Sequence, residues 1–345
     1  MGLQEFWFIL IAVLFTGYFV LEGFDFGVGM LMPVLGKTDT RRRVLLNTIG
    51  PVWDGNEVWL ITGGGALFAA FPDWYATLFS GFYLPLLLIL VALILRIVAI
   101  EWRGKIDDDK WRWRADLGIM IGSWVPAVLW GVAFANIVRG VAINADKQVT
   151  SNFFELLNPY ALLGGITTAL VFALHGAVFV ALKTADDVRI DAADIAKKLA
   201  IPTVPIAGGF VLWTQLAYGK GWTWILVALA AIAVIAVVVL TRSEREGWAF
   251  AFTTLAVIAT SVLLFASLYP NVMPSTTDPA YSLTIENASS SHYTLTVMSW
   301  AAVILTPIVL IYQGWTYWVF RKRISTKHIP PSIGLPRKAG SSKVG

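Results

Sequence analysis

Two pairs of carboxylates stand in surroundings built for hydrocarbon. Glu22 and Asp25 lie in VLEGFDFGVG, and Asp54 and Glu57 in GPVWDGNEVWLITGGG, each pair three residues apart. On a helix that spacing puts both acids of a pair on one face. An ionised carboxylate facing lipid costs at least ~2.5 kcal/mol on insertion scales, so all four must face protein or water. A short basic turn, KTDTRRR, joins the two segments near residue 40. Asp25 stands 15 residues before that centre and Asp54 14 after it, while Glu22 stands 18 before and Glu57 17 after. Antiparallel neighbours rise at the same rate, about 1.5 Å per residue, so the spacing predicts two acid layers at matched depths. No Lys or Arg lies at that level in either segment. Such a group suits proton relay or cation binding. The structural alternative is that each acid caps a neighbouring helix or pairs with a base from another segment, such as Arg96.

The elements that position these acids follow from composition. The chain is 57% hydrophobic and 14% charged, against the ~25% charged residues of a soluble domain. Its apolar residues fall in blocks of about 20 or more, the mark of membrane-spanning helices. Helices are expected at about 6–35, 46–71, 74–100, 115–138, 159–183, 199–218, 222–241, 247–269 and 294–320. The N-terminal stretch has no basic leader and no small-residue cleavage site, and reads as a retained first span. Lys and Arg gather on the side of the loops after spans one, three, five and seven and of the C-terminal tail. The other side keeps Arg139, Lys147 and Lys220. By the positive-inside rule the N-terminus is outside and the C-terminus cytoplasmic. The basic excess is therefore a topology signal and not a nucleic-acid signature. Residues 1–323 read as one all-α integral membrane domain with a polar external loop at about 270–293, and 324–345 as a flexible cytoplasmic tail.

Other candidates carry less. Asp116 follows the basic run KWRWR and could feed protons to the cluster, or form an interfacial ion pair. His175 is the one histidine inside an expected span and cannot alone supply a bis-His haem site; it reads as a packing residue, with a His/Met or single-ligand haem site as the alternative. With no cysteine, disulfides, Cys-ligated metal and iron–sulfur clusters are excluded, and no metal-binding set stands out. Trp53 and Trp59 lie beside the acids, where Trp53 could touch a partner or cofactor. Glycines 23, 27, 29, 55 and 63–65 are small residues of the kind that let membrane helices approach closely.

Read together, GFDFGVGML (23–31) and RRRVLLNTIGPVWDGNEVWLITGGGALFAAFP (41–72) resemble subunit II of the cytochrome bd quinol oxidases. SGFYLPLLLIL (80–90), IGSWVPAVLWGVAFAN (121–136), NFFELLNPYALLGG (152–165), YPNVMPST (269–276) and SLTIENASSSHYTL (282–295) continue the resemblance in order. It implies a nine-helix subunit, two four-helix bundles plus one peripheral helix, paired with a haem-bearing subunit I in the bacterial cell membrane. It further implies two b-type haems and a d-type haem in that partner, quinol oxidation at the external face, and dioxygen reduction with cytoplasmic protons. A structural quinone occupies subunit II in some members, and small accessory subunits are further candidate partners. By motif, Asp25, Asp54 and Asp116 match acids of the family. Glu22 and Glu57 depart from relatives carrying Asp and Gln there, and the link between spans six and seven is short. The rival class is a proton- or cation-coupled secondary transporter, which also places acids near the midplane.

Overall fold

A computed structural model describes residues 2–331 and 334–336. Its helices are α1 (Leu3–Leu35), α2 (Asp39–Ile49), α3 (Trp53–Ala70), α4 (Pro72–Gly81), α5 (Tyr83–Trp102), α6 (Asp109–Arg139), α7 (Pro159–Lys183), α8 (Asp186–Tyr218), α9 (Trp224–Arg242), α10 (Glu246–Leu268) and α11 (His292–Val319). Four short strands accompany them: β1 (Ile106–Asp107), β2 (Asn271–Met273), β3 (Leu283–Thr284) and β4 (Leu335–Pro336). Among the described residues, eight helices are long and apolar enough to cross a membrane: α1, α5 and α6 to α11.

Nine continuous spans were expected, and two of them are broken. The expected 46–71 helix stops at Gly50–Pro51, because proline lacks an N–H and restricts the residue before it. The polar helix α2, capped by Thr38 accepting from the Arg41 N–H (3.3 Å), therefore ends there, and α3 starts afresh at Trp53. The expected 74–100 helix divides at Phe82 into α4 and α5. The 18 residues of α3 rise about 27 Å alongside α1, but Asp54, Asn56, Glu57 and the glycine run keep it less apolar than the eight.

Helix α1 is the axis of the molecule, packed against α3, α6, α7 and α10. It meets α7 backbone to backbone: a Cβ on Gly27 would lie 2.1 Å from the Phe172 carbonyl oxygen, and one on Gly176 would lie 2.5 Å from Gly27. The triple glycine does not pack this way throughout, since Cβ atoms on Gly64 and Gly65 would meet nothing within 4 Å. An aromatic core of Phe15, Phe19, Trp130, Phe134, Phe172 and Phe265 fills the space between α1, α6, α7 and α10. In contrast α11 buries only Leu295 and is tied on by polar contacts, one being Trp7 Nε1 donating to Ser299 Oγ (3.0 Å).

The two ends of the bundle are closed differently. Opposite the basic end, β2 and β3 pair antiparallel, and Lys147 bridges to Asp73 (2.5 Å). At the basic end, Ile324 N–H donates to the Lys183 carbonyl (2.8 Å), Ala185 N–H donates to Ile324 (3.0 Å), and β4 runs parallel to β1. The first part of the expected tail thus has defined partners, and residues 337–345 lie outside the described residues.

Candidate functional site

Helices α1, α3 and α5 bring three of the four predicted acids together around one base. Glu22, Asp25 and Arg96 have no exposure and Glu57 has 8%. Arg96 Nη1 donates to Glu22 Oε1, and its guanidinium lies 4.9 Å from the Phe26 ring centroid. Glycine at 122 makes this reach possible: a Cβ there would stand 2.4 Å from that of Arg96 and 2.5 Å from the Ala92 carbonyl oxygen. The charges of Arg96, Asp25 and Glu57 all act on Glu22. Glu22 Oε2, Asp25 Oδ1, Glu57 Oε2 and Arg96 Nε and Nη2 are buried with no protein partner. Buried polar atoms of that kind are ordinarily met by water.

Asp25 has one firm partner, Asn56, whose Nδ2 donates to Asp25 Oδ2 (2.7 Å) and to the Leu21 carbonyl (3.4 Å). Asn56 Oδ1 accepts from the Tyr317 hydroxyl (2.6 Å) and Gln313 Nε2 (3.4 Å) of α11. Gln313 Oε1 in turn accepts from Trp59 Nε1 (2.8 Å). Trp59, Gln313 and Tyr317 also form part of the wall of an apolar groove of about 1120 Å³ between α1, α10 and α11.

The fourth acid is elsewhere. Asp54 is exposed on the outer surface of α3, so the expected four-carboxylate layers become three acids inside and one outside. Two residues on a helix turn by about 200°, and it is Asn56, not Asp54, that faces α1. Asp54 and Glu57 are three residues apart, about 300° of turn, so about 60° separates them and the edge of the buried face falls between the two. Trp53 is half-buried at the start of α3. Asp116 sits apart at the basic end, held by Arg42 (2.9 Å) and Arg103 (2.5 Å).

His175 is buried with both ring nitrogens engaged: Nδ1 with Thr253 Oγ1 (2.7 Å), Nε2 with the Val20 carbonyl (3.1 Å), and its ring stacked on Phe250. It has no nitrogen to offer a haem iron, so this histidine does not fit a ligand role. Among the described residues no group of three or more His, Asp or Glu is arranged to hold a metal ion. Asn56, Gln313 and Tyr317 were not singled out by sequence. The available signal was that Gln313 is the only amide in α11.

Comparison with known proteins shows the family. Residues 3–320 match the family described as cytochrome bd terminal oxidase subunit II. The chain is 44% identical over 331 residues to the cytochrome bd ubiquinol oxidase subunit 2 of Bacillus subtilis, covering 94% of this chain and 98% of that one. It is 37% identical to the cytochrome bd-I ubiquinol oxidase subunit 2 of Escherichia coli, covering 95% and 96%. A chain of the bd oxidase from Geobacillus thermodenitrificans superposes with a TM-score of 0.76 at 17% identity, covering 93% of this chain and all of that one, a likeness of fold. An all-helical membrane chain in which Arg96 is outnumbered by the buried acids around it is, on these matches, a member of the cytochrome bd terminal oxidase subunit II family, a respiratory oxidoreductase subunit of the bacterial cell membrane.

Proposed function

We propose that this chain is the non-haem subunit of a quinol:oxygen oxidoreductase, that it stabilises the haem-bearing subunit I, and that it conducts cytoplasmic protons toward it. The observation that carries the reading is the imbalance around Arg96. One guanidinium compensates one carboxylate, and uncompensated charge in a low-dielectric interior is costly. Protons taken up by Glu22, Asp25 and Glu57 supply the rest of the compensation, and the partnerless oxygens give them places to sit. Asp54 belongs to the same route as its exit. It lies two residues, about 3 Å of rise, from Asn56, yet on the exposed surface. An acid cannot face lipid there cheaply, so that surface suits contact with subunit I.

The two b-type haems and the d-type haem belong to subunit I in this reading, and quinol is oxidised there. The orientation has the basic end in the cytoplasm, as the Lys/Arg asymmetry supports. The packing supports two bundles, α1, α3, α5 and α6 in one and α7 to α10 in the other, with α11 peripheral. The groove beside α11 has the size and apolar lining for a structural quinone of the kind that some relatives carry. Asp116, ringed by arginine, acts as a clamp and not as a proton donor.

The test is Asp54→Asn in the purified two-subunit oxidase. Oxygen consumption should fall about tenfold or more at unchanged haem content. Full activity with full haem would sink the relay, and loss of haem along with activity would make Asp54 structural.

A further inference from the structure

The contacts from Trp59 to Asp25 form a chain with a fixed direction. An indole N–H can only donate, so Gln313 must turn Oε1 toward Trp59 (2.8 Å) and Nε2 toward Asn56 Oδ1 (3.4 Å). At the other end the Leu21 carbonyl can only accept, so Asn56 must turn Nδ2 toward α1, where it also reaches Asp25 Oδ2 at 2.7 Å. The Tyr317 hydroxyl, donating to Asn56 Oδ1 at 2.6 Å, closes the shortest link. An amide flip at Asn56 would oppose oxygen to oxygen at Leu21, and one at Gln313 would oppose N–H to N–H at Trp59. The orientation is thus set from both ends.

We infer that Tyr317 and Gln313 of α11 are positioning residues, which act through Asn56 to hold the Asp25 carboxyl as a hydrogen-bond acceptor and so set its readiness to take a proton. The inference rests on the proposed relay role of Asp25. It gives the loosely packed α11 a function that its burial does not suggest. The charged and titratable groups around Asp25 are Glu22 on its own helix, Glu57 on α3, Arg96 on α5 and Tyr317 on α11. The effect of α11 is therefore separable from the Arg96 field by a change that leaves all other charges in place.

That change is Tyr317→Phe, made in the assembled oxidase. Tyr312→Phe, on the exposed side of α11, serves as the control, and Asp25→Asn identifies the Asp25 carboxyl band in infrared difference spectra. Tyr317→Phe should shift that band and move the alkaline limb of oxygen consumption up by roughly half a pH unit, with haem content kept. The upward sign follows from weakening a donor that favours the ionised carboxyl. Tyr312→Phe should change neither. If Tyr317→Phe does not assemble, Gln313→Leu carries the same readouts. An unmoved band and an unmoved pH profile, at full haem content, would overturn the inference. A shifted band with an active Asp25→Asn oxidase would uphold the positioning and reject the relay.

Discussion

At the basic end Asp116 lies between Arg42 and Arg103, and Glu246 between Arg189 (2.6 Å) and Arg323 (3.7 Å). In the middle of the bundle Glu22, Asp25 and Glu57 share Arg96. The same residue types are used in both places, but Asp116 and Glu246 each meet two arginines, whereas the three inner acids share one. Where a carboxylate meets two arginines, its charge is matched, and the group works as a joint between elements. Where three carboxylates share one arginine, oxygens are left without protein partners, and in the proposed relay protons complete the charge balance. Acid content alone thus does not mark the proposed relay, which rests on buried acid in excess of the base beside it.

Three substitutions probe that contrast. Arg96→Leu should have the largest effect: it strands Glu22 in a fully buried site, at a cost of about 3–5 kcal/mol. Little assembled oxidase should be recovered, read as the haem absorbance of the purified complex. Normal yield and thermal midpoint would show that the cluster keeps itself neutral without its base. Asp116→Asn should be milder, lowering the thermal midpoint by an amount corresponding to about 1–2 kcal/mol while oxygen consumption stays within about twofold. A collapse of turnover at full haem content would move Asp116 from the joint into the relay. Asp191→Asn should matter least. Its carboxylate is bound by Lys37 (2.9 Å) and Arg41 (2.5 Å) on a partly exposed surface, where such pairs contribute about 0–1 kcal/mol. The difference from the unsubstituted protein should shrink further as salt is raised.

Much of this was legible in the sequence for a physical reason. Lipid imposes long apolar runs, and eight of the nine expected spans keep a crossing helix in the structure. The i, i+3 spacing correctly placed Glu22 and Asp25 together on α1. Where the edge of the buried face falls on α3, between Asp54 and Glu57, was not legible, and so Asp54 was expected inside. That edge depends on what the helix packs against. Arg96 could be named as a possible partner for an acid, but its choice of Glu22 depends on Gly122 allowing α5 close to α6. The chain from Trp59 to Asp25 needs α11 beside α3, a contact between residues more than 250 apart in sequence. No local pattern encodes such a pairing.

The touching backbones of Gly27 and Gly176 bear on how anything could move through this protein. A carrier of the alternating-access kind works by rocking one half of the molecule against the other around its binding site. Here the helix that holds Glu22 and Asp25 is pinned to the opposite half by main-chain contact, within a turn of Asp25, with no side chains between to slide or repack. Closely packed interiors of this sort switch between discrete arrangements or do not yield at all. What remains free to move at the acids is small: a carboxyl turning about its last bond, a proton, a water molecule. In the proposed relay, then, whatever passes the acids travels over a scaffold that stays still.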